Sequence, residues 1–344
     1  MSFASEERAA FNYRTWIAGL LGLTLAGWML RAYGVGDLVA LLGRVGCFGA
    51  LTIIAFHALQ LFASAEGWHV ISTPAGAQRP LRSYLELRWI REGVNNLLPL
   101  AQIGGEFITA RMLQRQGVRL GPAIAGTLAD LLLEIKTQIL LTVLGLILLV
   151  SYAGHSRLSA LLAIGLLGAS LFVAILLIAL RAGLAAALER AVVRLGRAFG
   201  WPDSADINGL HDALQACYRA PRCLALGASW HLLSWILGGL EVWLILHFFQ
   251  HEVTLGVALT IESLGQAAKA LGFAIPGAVG VQEGGYLLVC AGLGLPPELG
   301  LALSLAKRIR EVVWGVPSLV VWQRTQTRTK TIRIALGSIQ GGDQ

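Results

Sequence analysis

Apolar positions along this chain gather into long unbroken blocks, not into the alternation of a strand or the narrow stripe of a soluble helix. Val45–Ala65 contains no Asp, Glu, Lys or Arg, and neither does Leu158–Leu180. Thr137–His155 is a third such run, and Cys223–Gln250 a fourth, broken only by Glu241. Each approaches the ~20 residues that a helix needs to cross ~30 Å of hydrocarbon. Thr15–Leu30 is shorter, but Arg14 and Arg31 at its ends can snorkel to the two interfaces. The pattern predicts membrane-spanning helices.

Composition strengthens that reading. Of the 344 residues 56% are hydrophobic and only 14% charged, against roughly 25% charged in a soluble domain. Arg8 and Arg14 give a basic start, yet no small-x-small cleavage site precedes Arg31, so the first block does not read as a cleaved signal peptide. Cys47, Cys217, Cys223 and Cys290 lack any metal-binding spacing and read as packing residues, and no metal or other cofactor is called for. The net charge of +7 is explained by basic cytoplasmic loops, not by nucleic-acid binding.

The basic residues also sort the loops. Arg181, Arg190, Arg194, Arg197, Arg219 and Arg222 crowd the connector 181–222, and Arg324, Arg328, Lys330 and Arg333 crowd the tail 323–344, so both are expected in the cytoplasm. Within the connector, Leu184, Leu188, Leu195 and Phe199 lie opposite its arginines, as in an interfacial helix, and "DINGLHDALQACY" reads as a second one. The loops near 151–157, 249–253 and 293–300 hold only Arg157 and are expected outside. No Walker loop, GxSxG, HExxH or dinucleotide fingerprint occurs.

Two stretches interrupt the apolar pattern. "PLAQIGGEF" (Pro99–Phe107) and "PGAVGVQEGGY" (Pro276–Tyr286) each place a glutamate seven positions after a proline, with a Gly-Gly pair touching it. Given the loop sides, 84–116 must enter and leave from the cytoplasm, and 255–295 from outside. Irregular backbone at membrane depth is tolerated only where protein buries it or where it lines a watery cavity. The expectation is therefore an all-α polytopic integral membrane protein with about six spanning helices and two re-entrant helical hairpins in an inverted-topology repeat. The repeats would be 45–150 and 223–322, each a helix, a hairpin and a helix.

Ionisable residues at membrane depth are functional-site candidates by default. The first hairpin carries Arg88, Arg91, Glu92, Asn95, Asn96 and Glu106, and the following helix Asp130, Glu134 and Lys136. The second half adds Glu241, Glu262, Lys269 and Glu283, then "AKRIREVVW" with Lys307, Arg308, Arg310 and Glu311. Helical spacing allows Arg88 to pair with Glu92 and Lys307 with Glu311. Converging Arg and Lys beside broken-helix ends suit an anionic head group. The candidates for binding or translocation are Arg91, Asn95, Pro99, Glu106, Lys269, Pro276, Glu283, Lys307 and Arg310. Glu92, Asp130, Glu134, Lys136, Glu241, Glu262 and Glu311 are their candidate charge partners. His57, His231 and His247 are read as packing residues.

The stretches "RWIREGVNNLLPLAQIGGEFITARML" (88–113) and "GFAIPGAVGVQEGGY" (272–286), with the charged opening of the last helix, resemble the flippase-type membrane domain of lysylphosphatidylglycerol synthases. They also resemble the stand-alone members of that family, including those linked to hopanoid biosynthesis. The resemblance implies a bacterial inner-membrane lipid translocase with both termini in the cytoplasm, and a cavity lined by Pro99, Glu106, Pro276 and Glu283. It implies no synthase activity, because the chain ends soon after its last predicted helix and lacks the aminoacyl-transferase domain. Two other readings stay open: a scaffold presenting lipid to lipid-biosynthesis enzymes, and an intramembrane enzyme acting on a head group.

Overall fold

The computed structural model describes residues 35–98, 102–153 and 209–340, with isolated positions outside them. The runs Thr15–Leu30 and Leu158–Leu180, the connector 181–208 and Pro99 lie outside the described residues or almost entirely so.

The described residues form nine α-helices and no strand. They are α1 (Val35–Ser72), α2 (Leu81–Leu97), α3 (Gly104–Arg115), α4 (Leu120–Ala153), α5 (Leu210–Tyr218), α6 (Pro221–Phe248), α7 (Leu255–Leu271), α8 (Val281–Gly292) and α9 (Pro297–Gln340). A 3-10 turn at Pro276–Ala278 joins α7 to α8. By length and composition α1, α4 and α6 can each cross a membrane, over Leu42–Ser72, Leu120–Tyr152 and Pro221–Phe248. Their outer faces fit that solvent. Phe48, Leu51, Leu59 and Phe62 on α1, and Leu140, Leu144 and Ile147 on α4, are exposed, an apolar surface that water would penalise and lipid does not. Helix α9 divides its faces: Ile309, Val312, Val313 and Val316 point outward, while Lys307, Arg310 and Glu311 are buried.

Loops gather at two ends. At one end the Cys217 thiol of α5 donates to the carbonyl of Ile71 at 3.3 Å, which brings the end of α1 beside the starts of α4 and α6. Burial pushes this thiol up to about 11, as expected for a packing cysteine. Helix α5 buries Leu210, Ala213 and Leu214 in a core with Trp68, Tyr84, Leu113 and Leu120. At the other end Phe48 packs edge-on against Phe248, and Ile245, Phe249, Ile261, Tyr286 and Leu303 form a second core. The charged side chains occupy the layer between the two cores.

The two hairpins are built to one plan. Helices α2 and α7 each have 17 residues, and α3 and α8 each have 12. Leu255 stands 174 positions beyond Leu81, while the starts of α8 and α9 stand 177 beyond those of α3 and α4. The extra three residues lie in the second hairpin turn. The hairpins start from opposite ends of the bundle and their tips touch: Gln102 Nε2 donates to the carbonyl of Gly272 at 3.3 Å. Packing is crosswise as well, with α9 against α2 and α7 against α4, so each half grips the other's hairpin.

The Gly-Gly pairs permit the arms to close. A Cβ on Gly105 would come within 2.7 Å of the Arg91 carbonyl and 2.8 Å of Asn95 Oδ1. A side chain there has no room, because the obstacle is backbone. Gly105→Ala is expected to lower stability by ~1–3 kcal/mol through overpacking. Gly43→Ala, at a helical position open to its surroundings, should change it by less than ~0.5 kcal/mol or raise it slightly. Unfolding of the detergent-solubilised protein checks this; equal midpoints for both variants would refute the close-packing account.

Candidate functional site: a charged cavity between the hairpins

A cavity of about 210 Å³ opens in the layer between the two cores. Its walls come from α1, α2, α3, α4, α6, α7 and α9, so both halves contribute. Among its lining residues only Leu61 and Trp235 are mainly apolar. The cations are Arg88, Arg91, Lys269 and Arg310, and the carboxylates Glu92, Glu106, Glu134, Glu262 and Glu311; His57 and His231 complete the titratable set.

The first half organises its charge around Arg91, whose side chain is 2% exposed. Its Nη1 donates to Asp130 Oδ2 at 2.8 Å and its Nη2 to Glu134 Oε2 at 2.9 Å, while Nε lies 3.7 Å from Glu106. Arg88, one turn earlier, donates to both Glu134 oxygens at 2.7 and 3.0 Å. Asp130 and Glu134 are four apart on α4 and therefore meet α2 on one face. The Trp68 ring lies 4.9 Å from the Arg91 guanidinium, a cation–π contact at its apolar side. Asn95 ties the hairpin together: its amide donates to Glu106 at 3.2 Å, and its Oδ1 accepts from the Gly105 N–H at 2.8 Å. That second bond satisfies a donor in the first turn of α3, and Glu106 adds negative charge where the helix dipole favours it.

The second half contains pairs of both senses. In one the hairpin supplies an acid, Glu262, and the long helix a cation: Lys307 Nζ donates to Glu262 at 2.5 Å and lies 3.6 Å from Glu241. Tyr286 OH also donates to Glu262, at 2.9 Å. Arg310 Nη1 reaches both oxygens of Glu241 at 2.5 and 2.7 Å, and Lys269 Nζ donates to Glu311 at 2.6 Å. Lys269 also donates to Asn96 Oδ1 at 3.2 Å, joining the two hairpins.

Several sequence expectations change. The two pairs expected along single helices, Arg88 with Glu92 and Lys307 with Glu311, do not form. Lys307 turns to Glu262 on α7 and Glu311 to Lys269, while Arg88 takes Glu134 and Glu92 takes His57. A buried charge gains more from a desolvated partner on a facing helix than from a neighbour on its own surface. Glu283 does not line the cavity. Its Oε2 accepts from the Gly280 N–H at 2.6 Å, capping α8, and its Oε1 takes Arg308 at 2.9 Å. Pro276 opens the 3-10 turn of the second hairpin. Lys136 lies 5.8 Å from the Tyr218 ring on α5, outside the cavity lining. Lys307, Asp130 and Glu241 stand directly behind the lining residues they hold. His57 and His231, read as packing residues, line the cavity, each 2.8 Å from a carboxylate. Their spacing of 174, which matches the offset between α2 and α7, was the available signal.

The sequence profile of the lysylphosphatidylglycerol synthase TM region matches residues 15–317. The chain belongs to that family. No curated protein and no solved structure matches it at a significant level. Family membership ties the chain to membrane-lipid biology, and the matched region is the membrane part of the synthases. Both stretches that resembled this family, 88–113 and 272–286, lie inside the match and build the two hairpins.

Because Arg91 is buried among three carboxylates, Arg91→Gln is expected to cost about 3–5 kcal/mol by leaving charge unpaired. Adding Asp130→Asn should return at least ~1 kcal/mol, a coupling characteristic of contacting residues. A double-mutant cycle on detergent-solubilised protein measures it. Additive losses would mean that the two groups do not interact.

Proposed function

We propose that this protein moves a lipid head group between the leaflets of the bacterial inner membrane, with both termini in the cytoplasm. The observation that carries the reading is the charged cavity walled by both hairpins, midway between two apolar cores in a bundle with apolar outer faces. In this reading the two halves are inverted repeats and the hairpins are re-entrant, meeting near the midplane. Leu271 and Phe273 at the second hairpin's tip are exposed, which suits hydrocarbon around that tip and would be costly in water.

The lining offers ions of both signs, each already paired. A head group with a phosphate and hydroxyl or ammonium groups can exchange partners with these pairs one at a time, so no ion need be stripped bare. A volume of about 210 Å³ accommodates a small polar group while the tails remain in lipid. Rocking of one half against the other would then present the cavity to alternate sides.

The test is leaflet exchange of head-group-labelled lipids in proteoliposomes, read with an impermeant quencher. Wild-type protein should accelerate at least one lipid class over protein-free vesicles. Glu106→Gln with Lys269→Gln should slow it by about tenfold or more, a barrier increase of at least ~1.4 kcal/mol. Acceleration of no class would refute translocation, and a chemically altered lipid would point to an enzyme.

A further inference from the structure

His57 and His231 stand among the ion pairs of the cavity. Each is at least nine-tenths buried, and each presents Nε2 to a carboxylate at 2.8 Å, Glu92 for His57 and Asp130 for His231. Both line the same cavity. They stand 174 positions apart, as do the first arms of the two hairpins, so each half contributes one. His57 Nδ1 is buried without a hydrogen-bond partner among the described residues.

We propose that the pairs His57–Glu92 and His231–Asp130 are the proton-binding sites that couple translocation to a proton gradient. The proposal rests on the transport reading above and names its driving ion.

The chemistry follows from which nitrogen faces the acid. An ionised carboxylate requires a donor, so the neutral ring carries its hydrogen on Nε2 and keeps a lone pair on Nδ1. A hydronium ion in the cavity gives its proton to Nδ1: its O–H bond breaks, one N–H bond forms, water is released, and the net charge of the pair rises from −1 to zero. The surroundings can register that change. Glu92 from α2, Glu241 from α6, Arg310 from α9 and Lys269 from α7 face the first pair. Asp130 and Glu134 from α4 and Arg91 from α2 face His231, and Gly67 of α1 packs against its ring. With neutral imidazoles the lining holds four cations and five carboxylates. Protonation of both rings moves it from one net negative charge to one net positive charge. A charged head group therefore binds the two protonation states with different affinity, which is the requirement for coupling. The His231–Asp130 bond also joins α6 to α4, across the boundary that rocking would shear.

The full-length protein would be reconstituted in phosphatidylethanolamine/phosphatidylglycerol vesicles carrying head-group-labelled copies of each lipid. Exchange is followed between about pH 5 and 8, the window in which imidazole titrates. The expected result is a rate that changes by about tenfold across this window, with a profile flattened in His57→Gln and in His231→Gln. A rate independent of pH, or variants that keep the wild-type profile, would overturn the proposal. Solid-state NMR of ¹⁵N-histidine-labelled protein, with each variant subtracted, separates the two claims. If neither lipid moves, the transport reading fails. Rings held in one protonation state throughout then overturn the proton sites too, whereas rings that titrate uphold them.

Discussion

A charge taken out of water must meet an opposite charge, and in this protein Arg91 is where that requirement is most severe. Its guanidinium is buried and held by Asp130, Glu134 and Glu106. Those acids come from α3 and α4, so satisfying one arginine fixes the first hairpin against the long helix that follows it. Asp130 in turn holds His231 of α6, which carries the same constraint into the second half. Removing any one partner leaves an uncompensated ion. The layer of ion pairs is thus both the lining of the cavity and the clamp that positions its walls.

The glycines and glutamates of the two interrupting stretches have readable roles at the helix turns. The turn at Pro276 ends one helix and starts another in the opposite direction. Glycine lets the returning arm close: a Cβ on Gly105 would strike the backbone of Arg91, and one on Gly285 would meet Ala268 at 2.5 Å. The glutamate stands at the third position of the returning helix in both hairpins, where first-turn N–H groups and the dipole favour an acid. From this shared place the two diverge. Glu106 faces the cavity and Arg91, whereas Glu283 caps its own helix and pairs with Arg308.

An architecture of two apolar cores separated by a charged layer suits a membrane-lipid protein of the lysylphosphatidylglycerol synthase family. A soluble protein would place such charges outside, facing water. Here the outer surface is given to Leu, Ile, Val and Phe, and the ions face inward. The inward ions are nearly balanced, so the cavity can stay closed at modest cost and still offer exchangeable partners to a polar head group. Each hairpin brings both signs to the cavity, Arg91 and Glu106 on the first and Lys269 and Glu262 on the second.

Much of this was legible in the residue order. Unbroken apolar blocks gave the helices, because the length of a span is a local property of the chain. Basic loop bias and the two motifs pointed to the stretches 84–116 and 255–295, which overlap α2–α3 and α7–α8. That ionisable residues stand within the two hairpins was also readable, since Arg91, Glu106, Glu262 and Lys269 fall within those stretches. Their partners were not. Helical spacing offers Lys307 to Glu311 and Arg88 to Glu92, but burial makes the facing helix decisive, so Lys307 joins Glu262 and Arg88 joins Glu134. The same reason hid His57 and His231. A lone histidine on an apolar helix carries no signal of what it faces, and only the packing of α1 on α2 and of α6 on α4 sets each beside a carboxylate. Residue order determined the elements and where charge would be costly; the tertiary structure alone decided which charges neutralise one another, since that depends on contacts between helices far apart in the chain.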